Sequence, residues 1–112
     1  IVGTMNTADR SIGHIDYAIR RRFAFIPVPP DPAAVTGAKA RKLYDEVQAI
    51  FTQHTSEEFD ANDVRIGHSY FLGSETDLFL RLVYEIRPIL MEYLRDGTLR
   101  EAARSQITAL NV

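Results

Sequence analysis

The polar side chains best suited to phosphate chemistry lie in the first 23 residues. Asn6 and Asp9 directly follow the apolar segment Ile1-Val2-Gly3-Thr4-Met5. Open α/β sheets bind ligands at the carboxyl ends of their strands, where an Asn amide can orient a water molecule beside a phosphate. The alternative is that both side chains only form a turn by bonding to their own backbone. The residue types alone favour the turn.

Three arginines, Arg20, Arg21 and Arg22, precede Phe23. Guanidinium groups are planar and permanently charged, which suits them to spreading the charge of a transferring phosphoryl group. Helical neighbours point about 100° apart, so the three side chains cannot share one target. One or two could act in a site, while the rest form the solvated end of a helix.

The histidines give no metal site, because His14, His54 and His68 lie too far apart for ligand spacing. His68 is a candidate phosphate donor or proton carrier, with a hydrogen-bonded packing role as the alternative. We find no Ser/His/Asp or Cys/His arrangement typical of a nucleophile.

The first 30 residues predict a strand, a helix and a second strand. The strands cover residues 1–5 and 23–28, and Asp9 or Ser11 caps a helix over about 12–21. Prolines 27, 29, 30 and 32 then exclude a continuing helix or a central strand. They mark a boundary between residues 1–30 and 31–112.

The remainder predicts helices. Residues 39–54 carry an apolar stripe, 55–65 predict a loop, and 66–72 form a short mixed segment. A capping arrangement of Ser74 and Asp77 begins a long helix that Pro88 interrupts with a kink and Asp96-Gly97 ends. A last helix covers about 98–107. The predicted fold class is mostly α, with a short strand–helix–strand part before a small helical bundle.

Composition excludes several classes of protein. The 112 residues contain no cysteine and have a net charge of −2, which excludes a disulfide scaffold and gives no indication of a polyanion partner. No apolar run approaches the roughly 20 residues of a membrane helix. A cytoplasmic protein without membrane contact fits this composition. The start at Ile1 leads us to expect part of a larger protein.

Two groups of residues resemble the McrB-like branch of AAA+ nucleoside triphosphatases, the GTP-hydrolysing motors of 5-methylcytosine-specific restriction systems. The first group is GTMNTADRS at residues 3–11 and IDYAIRRRFAF at residues 15–25. The second is IGHSYFL at residues 66–72 and YEIRPILMEY at residues 84–93, which are similar to the family's lid. The resemblance implies the second half of an AAA+ module, with residues 1–30 ending its core and 31–112 forming its lid.

Roles in catalysis follow from the resemblance by position. Asn6 matches sensor 1, which positions the attacking water. Arg21 and Arg22 match the arginine-finger region, which reaches the nucleotide of a neighbouring subunit, and Arg22 is the first choice.

The resemblance also implies nucleotide-binding positions. Asp9 and Arg10 fall in the string associated with nucleotide selection and phosphate sensing. His68 lies where the lid offers sensor 2, and Arg65 competes for that role because most AAA+ proteins use Arg there.

The resemblance further implies GTP or ATP with Mg²⁺ as the cofactor of the parent protein. The expected partners are neighbouring subunits in a ring, expected to be a hexamer, and an McrC-like nuclease. DNA would be contacted only by domains outside this chain. The chain contains no GxxxxGK[ST] loop, and we expect Walker A and Walker B before Ile1. No metal site, no tightly bound nucleotide and no hydrolysis are therefore expected of these residues alone.

Three alternatives remain open. The parent could be an ATPase of the MoxR or dynein-like branch. The helical stripes, such as Leu43/Val47/Ile50 and Phe79/Val83/Ile86, could serve a protein partner instead of packing on each other. A DNA-binding role for the three arginines is disfavoured, because the rest of the chain is acidic.

Overall fold

The computed structural model describes residues 1–4 and 21–112, and over these residues the fold is mostly helical. The predicted helix over 12–21 and the end of the first strand at Met5 fall largely outside the described residues. No strand occurs within the described ranges, where an isolated antiparallel bridge joins Thr55 to Leu99. The mostly α fold class is confirmed for this part of the chain.

The second predicted strand, residues 23–28, is not formed. Its apolar side chains lie at the surface, with Ile26 81% and Val28 90% exposed. A strand needs a hydrogen-bonded neighbour, and no described residue pairs with this segment as a strand. Pro27 also removes a backbone donor from it.

Within residues 31–112, five helices, here named α1 to α5, form the bundle together with shorter turns. Their bounds are Ala38–His54 (α1), Ala61–Val64 (α2), Glu75–Arg81 (α3), Arg87–Arg95 (α4) and Arg104–Ala109 (α5). Single 3₁₀ turns cover Pro32–Ala34, His68–Phe71 and Glu101–Ala103, and a π-helical turn covers Leu82–Ile86.

Helix α1 is the central element of the core. Its predicted apolar stripe is confirmed, since Leu43, Val47, Ile50 and Phe51 are all at most 1% exposed. These positions recur at helical spacing, so one face of α1 is buried while its charged residues remain in solvent. Helices α2, α3 and α5 and two of the 3₁₀ turns pack against it.

Helix α3, the π turn and α4 form one continuous rod. The predicted cap is confirmed as a capping box, in which the Ser74 hydroxyl accepts from the Asp77 N–H while the Asp77 carboxylate accepts from the Ser74 N–H. Pro88 lacks the N–H that an α-helix would bond to the carbonyl four residues earlier. The disruption predicted at Pro88 takes the form of the π turn immediately before it.

One face of this rod is buried at every fourth residue. The buried side chains are Leu78, Leu82, Ile86, Leu90 and Leu94. Four residues advance an α-helix by about 40° more than one turn, so a strict four-residue repeat drifts around the surface. The wider π turn offsets part of that drift and keeps the repeat facing the core. Phe79, predicted to lie on the buried stripe, is instead 52% exposed.

The end of α4 is predicted correctly. The last helix is also present, but it begins later than predicted, with the 3₁₀ turn Glu101–Ala103 leading into α5 at Arg104–Ala109. Arg95 is the last residue of α4, and Gly97 follows with φ +78°. Residues 98 and 99 do not begin a helix. Backbone hydrogen bonds from the Ser56 N–H to the Thr98 carbonyl (2.9 Å) and from the Arg100 N–H to the His54 carbonyl (2.8 Å) hold this strand-like segment beside the end of α1.

The predicted loop over 55–65 contains the short helix α2. Asp60 caps it by accepting a hydrogen bond from the Asn62 N–H at 2.9 Å. Its four residues place Val64 in the core. The mixed segment at 66–72 becomes the 3₁₀ turn His68–Phe71.

Candidate functional site

The candidate site is built on residues 65–71, which pack against α1. The Gln48 side chain donates to the Ile66 carbonyl at 3.3 Å. The rings of Tyr44 and Phe71 meet edge to face, with centroids 5.2 Å apart. Ile66 and Phe71 are buried, so both apolar and polar contacts fix the segment on the helix.

His68 joins this segment to the proline-rich region. The Asp31 N–H donates to the imidazole Nδ1 at 3.0 Å, across 37 residues of sequence. Because Nδ1 accepts here, the neutral ring carries its proton on Nε2. The half-buried imidazole therefore presents an N–H donor at Nε2, the property that a phosphate ligand requires.

Arg65 lies along α1. Its Nη2 donates to the Thr52 hydroxyl at 2.7 Å, while its Nε is buried and makes no hydrogen bond. Burial raises the pKa of the Tyr44 phenol, and the positive charge of Arg65 opposes that rise. The guanidinium thus brings a positive charge to the face of α1 on which residues 65–71 pack.

Two arginines that the sequence did not mark as functional hold the surrounding backbone. Arg41 donates to the Pro32 carbonyl at 2.9 Å and to the Asp45 carboxylate at 3.2 Å. Arg81 donates to the Ser69 carbonyl at 2.6 Å. In sequence, both look like ordinary charged residues on the solvent face of a helix, and no pattern there indicates their backbone partners.

The predicted arginine-finger residues lie at the surface. Arg21 and Arg22 are helical and exposed. No hydrogen bond or ion pair within residues 21–112 joins either of them to Arg65 or His68. Asn6, Asp9 and Arg10 lie outside the described residues, so their predicted roles stay predictions.

The described ranges contain no cluster of metal-ligating side chains. Residues 1–4 and 21–112 contain no group of three or more His, Cys, Asp or Glu side chains able to hold an ion. The same ranges contain no helix that is both long and apolar enough to span a membrane. A shallow depression on α5, lined partly by Glu101, Arg104 and Thr108, includes neither Arg65 nor His68.

Comparison with known proteins gives one relevant similarity. The chain is 33% identical to the type IV methyl-directed restriction enzyme EcoKMcrB subunit of Escherichia coli K12, over 90% of this chain and 26% of that subunit. No protein-family model and no solved structure matches the chain. The chain thus spans about a quarter of the length of this curated relative. Over most of its own length, the chain is therefore similar to a part of an McrB subunit.

Proposed function

We propose that this chain is the sensor 1, arginine-finger and lid part of an McrB-like AAA+ nucleoside triphosphatase that serves a modification-dependent DNA restriction system. Residues 1–30 would end the α/β core and residues 31–112 would form the lid. The observation that carries this proposal is the 33% identity to a methyl-directed restriction subunit over 90% of the chain. It extends across both of these parts.

The nucleotide-facing groups of the lid would be His68 and Arg65. The imidazole Nε2 has the proton needed to donate to a phosphate oxygen, because Nδ1 accepts from Asp31. Arg65 has one nitrogen bound to Thr52 and a buried Nε without a partner. The permanent positive charge of Arg65 would attract a phosphate bound nearby. We assign the direct sensor 2 contact to His68.

The core end of the chain would supply the remaining groups. Asn6 would orient the attacking water, and Asp9 and Arg10 would contribute to nucleotide selection and phosphate sensing. Arg21 and Arg22 are exposed, which an arginine finger acting on a neighbouring subunit requires. Arg22 would make that contact and stabilise charge on the transferring phosphoryl group.

The parent protein would use GTP or ATP with Mg²⁺. The metal neutralises charge on the terminal phosphates when it is bound. We assign no Mg²⁺ ligand within residues 1–4 and 21–112, where no ligating cluster occurs. Walker A and Walker B segments upstream would hold the metal and the phosphates.

The proposed partners are further copies of the parent in a ring, expected to be a hexamer, and an McrC-like nuclease subunit. DNA would bind to other domains. The alternative of a protein-interaction module loses part of its basis, because Leu43, Val47 and Ile50 pack in the core and offer no surface to a partner.

The proposal is tested by turnover in the full-length protein carrying Arg22→Ala. Loss of an arginine finger should lower the hydrolysis rate by about 10³–10⁵-fold while nucleotide binding persists. Arg95→Ala, which removes another exposed arginine at the end of α4, is the matched control and should retain wild-type turnover.

Unchanged turnover in Arg22→Ala would remove this residue from the active site. Hydrolysis rates of the full-length protein with GTP and with ATP distinguish an McrB-like parent from one of the MoxR or dynein-like branch. A preference for GTP supports the McrB-like motor, whereas exclusive use of ATP supports the MoxR or dynein-like branch.

A further inference from the structure

The two ring nitrogens of His68 have different hydrogen-bonding roles. Nδ1 accepts from the backbone N–H of Asp31 at 3.0 Å. Nε2 carries the proton of the neutral ring, and no hydrogen bond to another described residue engages it. The rigid imidazole ring is therefore hydrogen-bonded to the proline-rich segment through Nδ1, while its Nε2 N–H can donate to a ligand.

The segment held by Nδ1 is stiff. Pro29, Pro30 and Pro32 surround Asp31, and each proline ring fixes its backbone φ angle. The Asp31 carboxylate adds a hydrogen bond from the Ala33 N–H at 2.9 Å, and Arg41 holds the Pro32 carbonyl at 2.9 Å. Fixing the Asp31 amide consequently fixes the course of the chain between the predicted core end and the lid.

The three arginines of this region each donate a hydrogen bond to a group other than the Asp31 amide or His68. Arg41 binds Asp45 and Pro32, Arg81 binds the Ser69 carbonyl, and Arg65 binds Thr52. The bond to His68 is therefore the contact that joins the Asp31 amide to the 3₁₀ turn His68–Phe71.

We propose that His68 is a positioning residue that couples phosphate binding at Nε2 to the attachment of the proline-rich segment at Nδ1. This rests on the proposed function, in which Nε2 donates to the terminal phosphate. An acceptor at Nε2 favours the tautomer with its proton there, and that tautomer leaves Nδ1 free to accept from Asp31. The coupling is reciprocal, so the Asp31 contact also strengthens phosphate binding.

Two substitutions separate the two ends of the ring. In His68→Asn, the amide oxygen lies near the former Nδ1 and can still accept from Asp31, but the Nε2 donor is lost. In His68→Gln, the amide nitrogen lies near the former Nε2 and can still donate, but the Nδ1 acceptor is lost. Ser69→Ala is the matched control, because it changes a side chain in the same turn and keeps the carbonyl that Arg81 binds.

The measurement is amide hydrogen exchange in the full-length protein, with a non-hydrolysable GTP analogue or with GDP. A peptide covering residues 29–33 reports mainly on Asp31 and Ala33, since its prolines have no amide hydrogen. Affinities for the GTP analogue and for GDP are measured on the same samples. In the wild type and in Ser69→Ala, the analogue should slow exchange of this peptide more than GDP does.

His68→Gln should exchange about fivefold faster at this peptide, the effect of one ordinary hydrogen bond, and should still prefer the analogue to GDP. His68→Asn should retain slow exchange and lose that preference. Equal behaviour of the two variants, or an analogue effect on exchange in both, would overturn the coupling. A wild type without preference for the triphosphate would instead contradict the proposed function, while fast exchange in His68→Gln would still report the Asp31 link.

Discussion

At the scale of single residues, Gly97 makes the turn out of α4 possible. Its φ of +78° lies in the left-handed region, where a side chain is strained even though no atom lies within 4 Å of the point that a Cβ would occupy. The turn brings Thr98 and Leu99 into the interior, where they are 3% and 1% exposed. The backbone conformation of one glycine thus decides where two buried residues lie.

We expect Gly97→Ala to lower the free energy of unfolding by about 1 kcal/mol, the cost of left-handed backbone for a residue with a Cβ. Urea unfolding of the wild type and the variant measures this. Gly67→Ala is the matched control, because Gly67 has a φ of −75° and the nearest atom to an added Cβ is the Ser69 Oγ at 3.9 Å. An equal loss in both variants would show that φ is not the cause.

The residues of the candidate site were predictable to different degrees. His68 was a candidate from its residue type, and Arg65 entered with it through the resemblance of the segment that contains them. The structure packs that segment against α1, and the nucleotide-binding roles of both residues stay predictions. Arg41 and Arg81 were not found, because their partners are backbone carbonyls of Pro32 and Ser69. Carbonyl groups occur at every position, so no sequence pattern marks a carbonyl that an arginine will bind.

At the scale of elements, the capping box of α3 links helix stability to pH. Hydrogen bonds from the Ser74 hydroxyl and N–H lower the pKa of the Asp77 carboxyl. A lowered pKa means that the folded state favours the carboxylate. This contribution to stability is complete above the ordinary pKa of about 4 and is lost as the pH falls through the lowered value.

We expect Ser74→Ala to reduce the free energy of unfolding by about 1 kcal/mol near neutral pH, through loss of the cap. The difference from wild type should shrink as the pH falls through the lowered pKa of Asp77, because the carboxyl then becomes protonated in both. Urea midpoints across this range measure it. Asp77→Asn cannot titrate and should remove the pH-dependent part; a constant difference between Ser74→Ala and wild type would contradict the linkage.

Helix positions with strong local signals were predictable, and those that depend on their neighbours were not. The stripe of α1, the Ser74 cap and the Asp96-Gly97 end are local patterns, and the structure confirms them. The four residues of α2 are too few to show a helical period. The sequence also predicts Phe79 as buried, because an unbroken 3.6-residue period is assumed where the π turn Leu82–Ile86 changes it.

The prediction of a strand at residues 23–28 is wrong for a different reason. Its continuous apolar composition is a property of the segment, whereas a strand also requires a partner with free backbone groups. Within residues 1–4 and 21–112 no such partner is present. Leu99 shows the converse, since it pairs with Thr55 without any strand-like sequence around it.

At the scale of the whole molecule, the described helices share one core. Buried side chains from α1, α3, the π turn, α4 and α5 belong to a single cluster, and the exposed Arg21 and Arg22 are not part of it. The lid would therefore fold around its own interior and present the His68 segment on its surface.

We expect the 112-residue chain alone to hydrolyse neither GTP nor ATP, because the phosphate-cradling loop is not among its motifs. Phosphate release by the purified chain, compared with the full-length protein, measures this. Asn6→Ala in the 112-residue chain is the control for contaminating enzymes. Turnover by the chain that Asn6→Ala abolishes would contradict the prediction.

The four-residue repeat from Leu78 to Leu94 constrains how this region can evolve. Replacing one apolar residue with another of similar size changes the packing locally. Inserting or deleting a residue between Leu82 and Pro88 would instead rotate α3 against α4 by about 100°, turning one half of the repeat away from the core. We therefore expect the fold to tolerate a change in the number of residues here less well than a conservative exchange of one buried side chain.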